Sequence, residues 1–145
     1  MGGDVQIDSV FAEEAWARLK RDADSVLIDV RTAAEWAYVG LPDLSSIGKR
    51  PVLVEWQSFP GERPNTAFVD RVAEALVAIG ANTNSELLFI CRSGSRSFRA
   101  ARAMAAEGYL RCRNVADGFE GPLDPNRHRG CLIGWKAKGL PWEQS

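Results

Sequence analysis

Leu87-Leu88-Phe89-Ile90-Cys91-Arg92-Ser93-Gly94-Ser95-Arg96-Ser97 decides how this chain is read. Four apolar residues end at a cysteine, and small polar residues, a glycine and two arginines follow. From Ser97 to Glu107 the chain is rich in alanine and arginine and predicts a helix. The order is therefore strand, thiol, tight loop, helix N-terminus. A loop of small residues lets successive backbone N–H groups turn inward as an anion cradle. The helix adds its unpaired N–H groups and the positive end of its dipole. A cysteine in such an electropositive mouth is the kind that reacts as a thiolate. Cys91 is the candidate nucleophile, and Arg92, Ser93, Gly94, Ser95, Arg96 and Ser97 are its candidate anion-binding loop. A cysteine used only for packing would need neither the two cations nor the glycine.

Working outward, the elements alternate. Val5-Gln6-Ile7 predicts a short first strand, and Asp8 or Ser9 is placed to cap a helix reaching Arg21. Phe11, Ala15, Trp16 and Leu19 recur at helical spacing as its core face. Residues 25–30 are a continuous apolar run with β-branched members, typical of a strand buried on both faces. Asp29 sits near its carboxyl end, the edge where open α/β sheets bind ligands. Asp29 and Arg31 are placed to pair and fix that loop. Thr32-Ala33-Ala34-Glu35 is a capping box that starts a short helix, so Glu35 has a capping role beside its candidate place at the site.

Residues 40–50 and 57–65 read as loops around a strand at 51–56, with Trp56 packing at the core or rim. Asn65 caps a helix to Ile79 whose apolar face includes Phe68, Val72, Leu76 and Ile79. The helix after Cys91 sets Phe98, Ala101, Met104 and Ala105 toward the sheet, with Arg99 and Arg102 solvated or paired. Residues 112–115 are a last strand, 116–130 a loop, and Trp135 closes the core. Strands alternating with helices predict an α/β domain over residues 1–145, in three layers, with a mostly parallel central sheet flanked by helices.

Composition narrows the function. At 145 residues, 46% hydrophobic, the chain can bury a proper core. A net charge of −1 gives no reason to expect nucleic acid or an anionic membrane as partner. The sequence shows neither a run long enough to span a membrane nor a signal peptide, and position 6 is not the residue myristoylation needs. Three cysteines without a framework spacing suit a reducing, cytoplasmic setting. His128 and Cys131 lack two further ligands at metal spacing, so neither a metal nor another cofactor is expected.

Cys91-Arg92-Ser93-Gly94-Ser95-Arg96-Ser97 resembles the active-site loop of the rhodanese (thiosulfate sulfurtransferase) family. Ile28-Asp29-Val30-Arg31 is similar to that family's Asp-Val-Arg motif. Gly118-Phe119-Glu120-Gly121 and Gly134-Trp135-Lys136 are similar to the end of its single-domain bacterial members. Many members carry Gly-His-Ile-Pro-Gly-Ala where this chain has Gly40-Leu41-Pro42-Asp43-Leu44, a departure expected at the substrate rim. Phosphatases of the same fold place five residues between cysteine and arginine; here four separate Cys91 from Arg96. The resemblance therefore implies a shorter cradle, sized for a sulfur carried on the cysteine. It implies a sulfurtransferase that takes sulfane sulfur from a small anionic donor such as thiosulfate and passes it to cyanide or a thiol through a Cys91 persulfide. The alternatives are a persulfide carrier fed by a sulfur-relay protein partner, and a phosphatase. With a thiolate as nucleophile no general base is needed, which fits a chain whose one histidine, His128, is far from Cys91 in sequence.

Overall fold

The computed structural model describes residues 6–144. Five strands, β1 (Asp8–Val10), β2 (Val26–Asp29), β4 (Val52–Leu53), β5 (Glu86–Ile90) and β6 (Arg111–Val115), form one sheet in the order β1-β6-β5-β2-β4. Every pairing in it is parallel. Parallel neighbours need crossovers, and these are the helices: α1 (Ala12–Arg21), α2 (Ala33–Tyr38), α3 (Phe68–Ala78) and α4 (Ser95–Ala106). Residues 41–42 form a short strand, β3, paired antiparallel with β7 (Trp142–Glu143) outside the main sheet.

The central strands are covered on both sides, as their unbroken apolar sequence requires. Val26, Ile28, Leu87 and Phe89 face α3 and α4, where they meet Phe68, Val72, Leu76, Ala100, Ala101 and Met104. Leu27, Leu88 and Ile90 face the other way, toward Ala12, Ala15 and Leu19 of α1 and toward Phe119 and Trp135 of the C-terminal segment. Trp135 is fully buried, as expected, and meets Trp16 edge to face at 5.8 Å. The result is the three-layer α/β architecture that the alternation predicts.

Several local expectations are corrected. Val5 of the expected first strand lies outside the described residues. Gln6 is irregular, and the strand runs over Asp8–Val10, where Asp8 pairs with Arg113 on β6 at 3.5 Å. Neither Asp8 nor Ser9 caps α1. Its Ala12 amide donates instead to Asp117 Oδ1 at 2.8 Å, a partner 105 residues away. Asn65 does not cap α3, which starts three residues later; its side chain accepts from the Ala67 amide and organises the entry turn. Phe11, Ile79 and Phe98, expected in the core, are exposed. Each sits at or within a few residues of a helix end. Residues 40–50 are not all loop, because Leu41–Pro42 find a strand partner a hundred residues on.

Candidate active site

The site is built at the carboxyl edge of β5. Cys91 follows the strand directly and is 1% exposed. Its Sγ accepts the Gly94 N–H at 3.2 Å and lies 3.1 Å from Ser97 Oγ. The loop between is forced into this shape by glycine at two points. Gly94 has φ +105, and a Cβ there would collide with the Ala116 carbonyl. Gly118 has φ +67, and a Cβ there would collide with the Arg92 carbonyl. The close approach at Gly118 lets the next amides staple the loop. Phe119 N–H donates to the Cys91 carbonyl at 2.8 Å, and those of Glu120 and Gly121 to the Arg92 carbonyl at 3.0 Å each. Gly118-Phe119-Glu120-Gly121 is thus a clamp on the cysteine loop. Among the described residues, the amides of 92, 93 and 95–97 have no hydrogen-bond partner, while Phe98 N–H already bonds the Gly94 carbonyl within α4. Those open amides lie at or just before the start of α4, where the sequence predicts an anion cradle.

The neighbouring strand end is closed rather than open. Asp29 and Arg31 are both fully buried and joined by Nη2–Oδ2 at 2.7 Å and Nε–Oδ1 at 3.0 Å. Arg31 also donates to the Gly40 carbonyl at 2.8 Å and lies 4.1 Å from the centroid of the Phe119 ring. The pair fixes the loop, as expected, and does not reach the cleft. The capping box forms: Thr32 Oγ1 accepts from the Glu35 amide, and the Glu35 carboxylate accepts from the Thr32 amide. Glu35 does more than cap. Its two oxygens accept from Arg96 Nη1 and Nη2 at 2.7 and 2.9 Å, a bidentate pair across the cleft. Burial alone would raise the Glu35 pKa, but the Arg96 hydrogen bonds and charge, with Thr32, bring it down to about 2. Burial likewise opposes the charge on Arg96, and the Glu35 contacts, with Cys91 and Asp29 beyond, outweigh it and raise its pKa.

The cleft around Cys91 has a volume of about 1120 Å³. Cys91, Arg92, Ser93, Ser95 and Arg96 line it together with Glu35; Gly94, Ser97, Asp29 and Arg31 do not. Sequence reasoning missed the rest of its wall. Arg99, Arg127, Arg129 and His128 line it, as do Tyr38, Phe59, Leu123, Glu62 and Glu120. The arginines outnumber the glutamates five to three, and Glu35 is already spent on Arg96, so the cleft is cationic in a chain of net charge −1. Arg99, expected to be solvated or paired, does both: it lines the cleft and donates to Ser95 Oγ at 3.1 Å. His128 lines the same cleft, yet the hydrogen bonds of Cys91 Sγ are with Gly94 and Ser97, not with it. Residues 40–44 are absent from the cleft wall, so the departure there does not reshape the rim. Trp56 packs on Phe68 with centroids 5.0 Å apart. The described residues hold no cluster of metal ligands, and no helix among them is long and apolar enough to cross a membrane.

Comparison with known proteins follows the same lines. Residues 7–145 match the family model described as the STR4 middle domain. An uncharacterized protein of Rickettsia conorii is 34% identical over 139 residues, 96% of this chain and 99% of the relative. A protein of Allochromatium vinosum named sulfurtransferase is 24% identical over 135 residues, 93% of this chain and 94% of that one. Among solved structures, Rv0390 from M. tuberculosis aligns over 97% of this chain and all of its own, with 38% identity and a TM-score of 0.86. A rhodanese-like domain protein from Staphylococcus aureus shares the fold at 19% identity, covering 96% of this chain and 99% of its own, with a TM-score of 0.56. The chain belongs to the STR4 middle domain family and, by its fold and its sulfurtransferase relatives, to the rhodanese superfamily.

Proposed function

We propose that this protein is a sulfurtransferase of the thiosulfate-using, single-domain type, with Cys91 as the sulfur-carrying residue. The observation that carries the reading is the Gly94 N–H on Cys91 Sγ, in a loop whose residues 92, 93, 95 and 96 line a cationic cleft and have amides without a partner among the described residues. The Cys91 thiolate attacks the outer sulfur of thiosulfate. A Sγ–S bond forms, the S–S bond of the donor breaks, and sulfite leaves with the electron pair. The persulfide then gives its outer sulfur to cyanide or a thiol, and Cys91 departs as thiolate. The open amides stabilise the negative outer sulfur as an oxyanion hole stabilises oxygen. Arg92, Arg99, Arg127 and Arg129 have no carboxylate partner among the described residues and draw the anionic donor in. Arg96 is held by Glu35 and shapes the wall.

The size of the cleft favours a second reading of the same chemistry. Thiosulfate is far smaller than about 1120 Å³, and exposed Tyr38, Phe59 and Leu123 border the opening. A persulfide carrier loaded or unloaded by a sulfur-relay protein partner would use that space. A phosphatase has less support, because the cysteine-to-arginine spacing is short and Arg96 is committed to a carboxylate. We place the reaction in a reducing, cytoplasmic setting, consistent with Cys91, Cys112 and Cys131 all being free. The test is thiocyanate formation from thiosulfate and cyanide. Turnover that disappears in Cys91→Ser supports the enzyme, and loading that occurs only from a protein donor supports the carrier. Thiocyanate formation that survives in Cys91→Ser refutes both.

A further inference from the structure

The sulfur has a second neighbour that the chemistry above leaves unused. Ser97 Oγ lies 3.1 Å from Cys91 Sγ and 2.6 Å from Asn114 Oδ1. Asn114 is on β6, beside β5, and its Nδ2 donates to the Gly94 carbonyl at 3.2 Å. A carbonyl only accepts, so that bond fixes which end of the amide faces Ser97. Ser97 and Asn114 are both buried, and neither lines the cleft. A donor in the cleft touches neither of them; they meet the sulfur from behind.

A hydroxyl has one proton to donate, and here two acceptors compete for it. At 2.6 Å it goes to Asn114 Oδ1. The sulfur contact is then completed by the thiol, whose S–H donates to Ser97 Oγ. Once the thiol proton leaves for water, Ser97 Oγ loses that donor and its own O–H is free to turn to the charged sulfur. No bond between heavy atoms forms or breaks, but Asn114 Oδ1 is left as a buried acceptor without a donor, which is unfavourable. We propose that Asn114 is a positioning residue: it holds the Ser97 proton off Cys91 at rest and yields it when the sulfur carries charge. This rests on Cys91 being the sulfur-carrying residue. Charge appears on Sγ twice in that cycle, as nucleophile and as leaving group. Ser97 therefore assists both steps, and Asn114 restrains both.

The test is the rate at which iodoacetamide alkylates Cys91 in the full chain at neutral pH, read by peptide mass so that exposed Cys131 is counted separately. Asn114→Leu is expected to speed alkylation about threefold to tenfold, the range of one ordinary hydrogen bond. Ser97→Ala is expected to slow it by a similar factor, and Asn114→Leu is expected to have no effect in the Ser97→Ala background. A purely structural role would slow both single variants and persist in the double variant, and that result overturns the proposal. Asn114→Val, read the same way, replaces the leucine variant if that fails to fold. Sulfur loading from thiosulfate, measured on the same proteins, separates the two claims. Loading at Cys91 without the opposite-sign kinetics refutes the role of Asn114 alone. Absence of loading in the unmodified chain refutes the proposed function and leaves the alkylation test standing.

Discussion

Strands β2 and β5 lie side by side, run parallel, and each delivers a loop that starts a helix, yet the two loops behave in opposite ways. After β2 most of the strong groups are answered, Arg31 Nη1 being buried without a hydrogen-bond partner. Asp29 holds Arg31, Gly40 takes a second guanidinium proton, and Thr32 and Glu35 close a capping box. After β5 they are left open, with amides free, Arg92 unpaired among the described residues, and one N–H aimed at sulfur. The closed loop keeps its shape through bonds it makes within itself. The open loop has the donors that the proposed anionic sulfur would use. Glu35 joins them, closing the box in one loop and gripping Arg96 in the other.

The contrast breaks most visibly at Cys91. Cys91→Ser should abolish sulfur transfer, as assayed by thiocyanate, while thermal unfolding moves little. The closed loop should show the reverse. Arg31→Met leaves Asp29 charged and buried without its partner, so urea unfolding should report a loss of about 3–5 kcal/mol; a loss under about 1 kcal/mol would mean the pair holds nothing. Gly94→Ala should damage both properties, because its φ is +105 and the new methyl meets the Ala116 carbonyl. We expect transfer to fall about a hundredfold, the effect of losing one cradle donor.

Glu35 tests the bridge. Its pKa is lowered in the folded chain from 4.5 to about 2. A depressed carboxylate contributes stability that is fully present above the unfolded value and lost as pH falls through the folded one. The stability gap between the unmodified chain and Glu35→Gln should therefore hold at about 1.5–3 kcal/mol above about pH 4.5 and close by about pH 2. A gap that does not depend on pH would show that the carboxylate charge is not what binds Arg96. The smallest effect concerns Cys112. Burial pushes its thiol up to about 11 despite nearby Arg113, so in the native chain it should resist alkylation at neutral pH while exposed Cys131 reacts.

How much of this was readable from sequence depends on the range of the interaction. Residues 25–30 and 87–91 gave two adjacent buried strands because continuous apolar runs need cover on both faces. The capping box at Thr32 and Glu35 and the turn that brings the Gly94 N–H to Cys91 Sγ were legible, since their partners lie within a few residues. Long-range partners were not. Asp117 capping α1, Asn114 reaching Ser97, and the 118–121 clamp on Cys91 and Arg92 join segments that only the finished fold brings together. Glu35 was ambiguous for the same reason, as its capping role is local and its hold on Arg96 spans 61 residues. The far wall of the cleft, Arg127 to Arg129, comes from a loop with no periodicity to read.

The central claim is that the open loop takes sulfur from thiosulfate onto Cys91, and intact mass tests it most directly. The chain is incubated with thiosulfate, desalted and weighed, then treated with cyanide and weighed again. The account predicts one added sulfur atom, removed by cyanide and missing in Cys91→Ala. An unchanged mass, or an added sulfur that persists in Cys91→Ala, contradicts it.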